Sequence, residues 1–263
     1  QVFYRKMSSG YSQNIATIYN PNDLENGQTC IYQDLSFKKF GSIRKRHEFV
    51  QKVFCNLTIM LTLTGLSCYA FMTEPNLKNF SQSHHGIIIQ YICIALMFAT
   101  VFATICCENM AKRFPTDYGI LAIFTLSQSY LLGSVCSRIS PNIVILAGGA
   151  CLGITMALTL FAFQTKYDCT GAAGFLFGAL NGLIIVQIIN IFVESSDIQL
   201  ITSCAAVLIW TAYIVVDVQM IVGGKHHKYQ FEEDEHVFAT ITLYLDIVNL
   251  FLALLQLLSN NDD

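Results

Sequence analysis

Residues 201–258 read ITSCAAVLIWTAYIVVDVQMIVGGKHHKYQFEEDEHVFATITLYLDIVNLFLALLQLL. The stretch contains two apolar runs of membrane-spanning length, Ile201–Val222 and Phe238–Leu258, with one aspartate inside each, Asp217 and Asp246. A carboxylate at the centre of a hydrocarbon layer costs about 2.5–3.5 kcal/mol even on a translocon-insertion scale, so an acid there faces a partner, a water-filled cavity or an ion route. Counted along the helices, Asp217 before the end of its run and Asp246 after the start of the next lie roughly 7 and 12 Å from the same membrane face. Helices joined by a short loop pack as antiparallel neighbours, so the two carboxyl groups are expected to meet. Acids a few ångströms apart do not both ionise easily; they share a proton, and protonation becomes a switch.

Five further runs precede these two: Val53–Met72, Gly86–Cys107, Tyr118–Val135, Ile143–Phe163 and Gly174–Val193. Each is about the 20 residues needed to cross a bilayer, and the linkers between them are too short for a second domain. The expected organisation is a tail over residues 1–52 with a basic amphipathic end, a seven-span transmembrane domain over 53–258, and a short tail over 259–263. Composition agrees, because only 13% of the 263 residues are charged and 54% are hydrophobic, whereas a soluble domain carries about 25% charged residues. A net charge of -3 excludes nucleic acid and strongly charged substrates as natural partners. The lipid bilayer is the expected partner.

The tail is polar and lacks sustained periodicity, which predicts a loosely ordered segment. Its end, FKKFGSIRKRHEFVQKVF, interleaves basic residues with Phe37, Phe40, Ile43 and Phe49. This suits either an amphipathic helix lying on an anionic leaflet or a plain block of positive charge that sets topology. With the N-terminus in the cytosol, 13 of the 15 Lys and Arg residues fall on that side, leaving only Lys78 and Arg138 opposite. The positive-inside rule therefore predicts a cytosolic N-terminus and, after seven spans, a C-terminus on the far side. A G-protein-coupled receptor has the opposite orientation.

Other features read as structure. The ten cysteines include no C-x-x-C and no metal-ligand spacing, so they are expected to be small buried hydrophobes. Gly149-x-x-x-Gly153 and Gly174-x-x-x-Gly178-x-x-x-Gly182 suggest close helix packing. Asn181, Gln187 and Asn190 in the fifth run suggest a helix facing the bundle interior, and hence a central position for it. Glu232, Glu233, Asp234 and Glu235, beside His226, His227 and His236, lack the alternating spacing of an EF-hand loop and read as a solvated loop face. His84, His85 and the sequon at Asn79 fall in a loop on the outer side.

Several stretches together resemble the Bax-inhibitor-motif transmembrane family, and within it the Lifeguard branch. They are SIRKRHEFVQKVF, CCENMAKRFPTDYGILAIFTL, LTLFAFQTKYDCT, VVDVQMIVGGKHH and EEDEHVFATITLYLDIVNLFLALLQLL, so the resemblance spans about residues 40–260. It implies an all-α bundle of six helices around a central seventh, in membranes of the endoplasmic reticulum, the Golgi or the cell surface. It also implies suppression of cell death and a pH-sensitive calcium leak, with calcium as the permeant ion and no cofactor. The family's proton-sensing aspartate dyad falls on Asp217 and Asp246. Its gating counter-charge, a basic residue at the inner end of the second span, falls on Arg113. The loop GGKHHKYQFEEDE between the two acids is longer than in the bacterial relatives.

Calcium takes six to eight oxygen ligands, so two carboxylates with carbonyls and water make a weak transit site rather than a store. Two other classes compete with the channel. An intramembrane aspartyl protease also carries acids on consecutive spans, but the contexts here are Val-Val-Asp217 and Tyr-Leu-Asp246, with no Gly-x-Gly-Asp and no later Pro-Ala-Leu, so no enzyme is expected. A non-conducting interaction protein would restrain death signalling through cell-death regulators as partners. The sequence carries no signal of oligomeric state.

Overall fold

In a bilayer every backbone N–H and C=O must find a partner within the chain, and a run of 20 or more apolar residues can do so only as a helix. The computed structural model describes residues 27–106, 115–165, 167–223, 229–232 and 234–260, with side chains from residue 44 onward. Among these residues eight helices follow in order: α1 (Gly27–Thr73), α2 (Pro75–Gln82), α3 (His84–Cys106), α4 (Thr116–Cys136), α5 (Pro141–Gln164), α6 (Ala173–Val193), α7 (Ser196–Val222) and α8 (His236–Ser259). A 3-10 turn, Thr170–Ala172, leads into α6. All but α2 are long and apolar enough to cross a membrane. The protein is an all-α, seven-span membrane protein.

Local chemistry sets several boundaries. Pro141 opens α5, where its missing N–H costs nothing. The Ser195 hydroxyl caps α7 by accepting from the Ile198 N–H, and Asp197 adds negative charge to the first turn. Gly223, at φ +62°, ends α7 in a conformation that L side chains resist. Helix α1 runs unbroken from Gly27 into the first span. Residues 27–36, expected from composition to be loosely ordered, are therefore helical, and so is the basic end that follows, for which an amphipathic helix is one of the two readings; the segment propagates a turn already nucleated by the span behind it.

The last helix is the centre of the bundle. α8 packs against α1, α3, α4, α5 and α7, and 67% of its most apolar stretch is buried, against 11% for the span that contains α6. The expectation that the fifth run is central is thus overturned: α6 lies outermost, packed along α7. Asn181 and Gln187 are exposed, and the Asn181 amide donates to its own helix at the Phe177 carbonyl, 2.7 Å away. Nor do the glycine repeats bring helices together within the chain, since a Cβ at Gly149, Gly153, Gly178 or Gly182 would meet nothing within 4 Å. Gly133 on α4 does so, since a Cβ there would come within 2.7 Å of the Phe71 ring of α1.

A polar seam runs through the apolar interface of α1, α4 and α8. The Thr64 hydroxyl lies 2.7 Å from the Tyr244 hydroxyl and 3.1 Å from that of Ser129, and Ser67 donates to the Ser129 carbonyl at 2.9 Å. Tyr244 is wholly buried and meets Phe124 edge-on. Such bonds between spans contribute about 0.6–1.7 kcal/mol each. Replacing Tyr244 with Phe keeps the ring contact and removes the hydroxyl, so Tyr244→Phe should lower stability in detergent by about 1 kcal/mol, read as an earlier unfolding midpoint.

Candidate functional site

Antiparallel packing of α7 and α8 places Asp217 and Asp246 side by side, 6% and 5% exposed. Their carboxyl groups are close enough to interact with each other. Helix periodicity explains the rest of the cluster. Thr242 lies one turn before Asp246 on α8, which brings it level with Asp217. Its hydroxyl donates to the Ala239 carbonyl at 3.1 Å and lies near the Asp217 carboxyl. Tyr213 lies one turn before Asp217 on α7 and is near enough to interact electrostatically with both acids. Asp246 Oδ2 is buried without a hydrogen-bond partner among the described residues.

An ionised carboxylate only accepts hydrogen bonds, so a bond between two carboxyl groups requires that one of them carry a proton. Cation coordination at the pair would rest on these carboxyl oxygens, because among the described residues no group of three or more His, Cys, Asp or Glu side chains is placed to hold a metal ion.

Other residues singled out in the sequence divide. Arg113, the expected counter-charge, lies outside the described residues, as do Lys112, His226, His227 and Glu233. Glu232 and Asp234 are exposed, as a solvated loop face requires, and His84 and His85 are exposed at the start of α3. Cys68, Cys93, Cys136 and Cys151 are buried, whereas Cys55, Cys106 and Cys204 are exposed on the outside of the bundle.

One pair was not legible in advance. His236, read with the loop cluster, instead begins α8 and places Nε2 3.4 Å from Oδ2 of Asp117, the buried acid in the first turn of α4. The only available sign was Asp117 just behind Pro115 at a helix start. His236→Ala would leave the Asp117 carboxyl buried without this partner, and thermal unfolding in detergent should show a loss of about 1–3 kcal/mol.

A seven-span helical bundle whose central last helix buries an acid pair against the preceding span defines a class of polytopic membrane protein, and sequence comparison places the chain within it. The family model described as "Inhibitor of apoptosis-promoting Bax1" matches residues 46–263; the chain belongs to this Bax-inhibitor family. It is 28% identical over 224 residues to Protein lifeguard 3 of Mus musculus, covering 82% of this chain and 70% of that protein, which supports the Lifeguard branch. It is 31% identical over 224 residues to Bax inhibitor 1 of Schizosaccharomyces pombe, covering 83% and 79% of the two chains. The Golgi anti-apoptotic protein of vaccinia virus is 31% identical over 218 residues, covering 83% and 87%.

Proposed function

We propose that this protein is a membrane suppressor of cell death that acts as a pH-sensitive calcium leak, governed by the Asp217–Asp246 pair. The observation that carries the reading is two buried carboxyl groups set together on neighbouring spans, with Asp246 Oδ2 unpartnered among the described residues; on this reading the two share one proton. A polar pair retained in hydrocarbon at this cost is the mark of an ion or proton route. The names of the relatives supply the biological setting: a Bax inhibitor, and an anti-apoptotic protein of the Golgi. The reading places this chain in the endoplasmic reticulum or Golgi membrane, with the N-terminus cytosolic.

On this reading calcium is cargo. Four carboxyl oxygens and the Thr242 hydroxyl fall short of the six to eight ligands calcium prefers, so water completes the shell and residence is brief, as conduction demands. Loss of the shared proton adds a second negative charge, which both attracts a cation and drives the acids apart. Arg113 is assigned the counter-charge that closes the route when it pairs with the acids. Death suppression follows from lowered calcium in the store.

The test is calcium flux into liposomes containing the purified full chain, from about pH 6 to pH 8. Wild type should show flux that changes steeply with pH, and Asp217→Asn or Asp246→Asn should flatten the profile. Unchanged flux with unchanged pH dependence in both variants would overturn the channel. If those variants also kept death suppression in cells, the protein would act through partners.

A further inference from the structure

The end of α7 nearest the acid pair is held by a residue far away in sequence. The last four carbonyls of a helix have no partners within it. In α7, Gln219 O accepts from the Gly223 N–H at 2.9 Å. Arg46, on α1, takes two of the others: Nη2 donates to Met220 O at 2.6 Å and Nε to Val222 O at 3.1 Å. Its Nη1 donates to Phe231 O at 2.6 Å, in the connection that leads to α8. The guanidinium stacks over Phe49, with Cζ 5.0 Å from the ring centroid.

Two features show that this seat is built. Arg44 and Lys45 point outward, and Arg44 pairs with Glu48 on the exposed face of α1, whereas Arg46 shares the inward face with Phe49 and Val53, which are 2% and 0% exposed. Gly223 is required twice over, by its φ of +62° and because a Cβ there would come within 2.7 Å of Arg46 Cζ and Nε. A fixed positive charge also lies where the helix dipole of α7 is negative.

We propose that Arg46 is a positioning residue for the acid pair: its three-carbonyl clamp fixes the end of α7, and so fixes where Asp217 stands against Asp246. The inference rests on reading that pair as the functional site. Asp217 is five residues from the clamped end of a rigid helix, so a slip of α7 against α8 moves its carboxyl relative to Asp246 and Thr242. Because α1 is unbroken from Gly27, displacement of its extension beyond the membrane moves Arg46, and the clamp carries that displacement to the acids. A planar fork donating in three directions is what the seat uses; a lysine ammonium keeps the charge and loses the fit.

The test uses the purified full chain with Arg46→Ala, Arg46→Lys and Gly223→Ala. The readout is the infrared carbonyl stretch of the protonated carboxyl pair, assigned by its loss in Asp217→Asn and Asp246→Asn and followed against pH. Among the described residues, charged or titratable groups on the elements that meet the clamp and the pair include Arg44, Glu48 and Lys52 on α1, Asp117 on α4, Tyr213 on α7, Tyr229, Glu232, Asp234 and Glu235 in the connection, and His236 on α8; all are kept in every variant. Arg46→Ala and Gly223→Ala should each displace the midpoint by about one pH unit, in proteins that remain monodisperse, and Arg46→Lys should fall between them and wild type. Should Arg46→Ala fail to fold, Arg46→Lys and Gly223→Ala decide. A wild-type midpoint in the folded variants would overturn the clamp while leaving the pair intact. Absence of any titrating stretch in wild type would overturn the pair, and the clamp with it.

Discussion

A carboxyl group surrounded by hydrocarbon has no water to solvate its charge, and this protein places two of them in one bundle interior. Taken singly, each ion would carry an effective penalty of several kcal/mol. Set side by side, Asp217 and Asp246 can share one proton and so present one charge rather than two, and Thr242 lies near them from the neighbouring turn. That arrangement exists only if α7 and α8 lie side by side at one register. It also requires α8 to be enclosed, since an acid on a lipid-facing helix gains none of these partners. The central place of the last helix follows from what it carries.

A second consequence concerns rotation. Asp246 and Tyr244 are two residues apart on α8 and therefore on nearly opposite faces. One face meets α7 at Asp217 and the other bonds to α1 and α4 through Thr64 and Ser129. Turning α8 to improve either contact breaks the other. Between membrane spans, where apolar contacts alone discriminate poorly because lipid is as apolar as leucine, such polar contacts set register. At the end of α7 the Arg46 guanidinium does the same with backbone carbonyls, so the helix that carries Asp217 is fixed both along its flank and at its end.

The seven spans were legible because each apolar run is a local property, and the acids stood out because a charge inside such a run is rare. What depends on partners distant in sequence was not legible. Asn181, Gln187 and Asn190 give the fifth run the look of an interior helix, but an asparagine can satisfy itself on its own preceding turn, as Asn181 does, so amide density does not establish burial. The Gly-x-x-x-Gly spacings licensed close approach without naming a partner, and within this chain Gly133, which belongs to no such repeat, makes it. His236 and Arg46 were grouped with their charged sequence neighbours; one turns inward to an acid on α4, and the other reaches residues 174 to 185 positions away. Composition assigned both segments to the surface because most of their residues belong there.

On the proposed reading, proton and calcium compete for the same atoms. The proton that joins the carboxyl groups occupies the oxygens that face each other, leaving Asp246 Oδ2 as the buried acceptor without a partner. A cation drawn to that oxygen gains full coordination by the pair only as the proton leaves, because a protonated carboxyl is a poor ligand for a hard ion. By linkage, anything that favours the joined carboxyl groups, including a firm hold on α7, must weaken cation occupancy by the same free energy. pH sensitivity and weak calcium affinity are then one equilibrium seen from two sides, and the residues that set the distance between α7 and α8 tune both together.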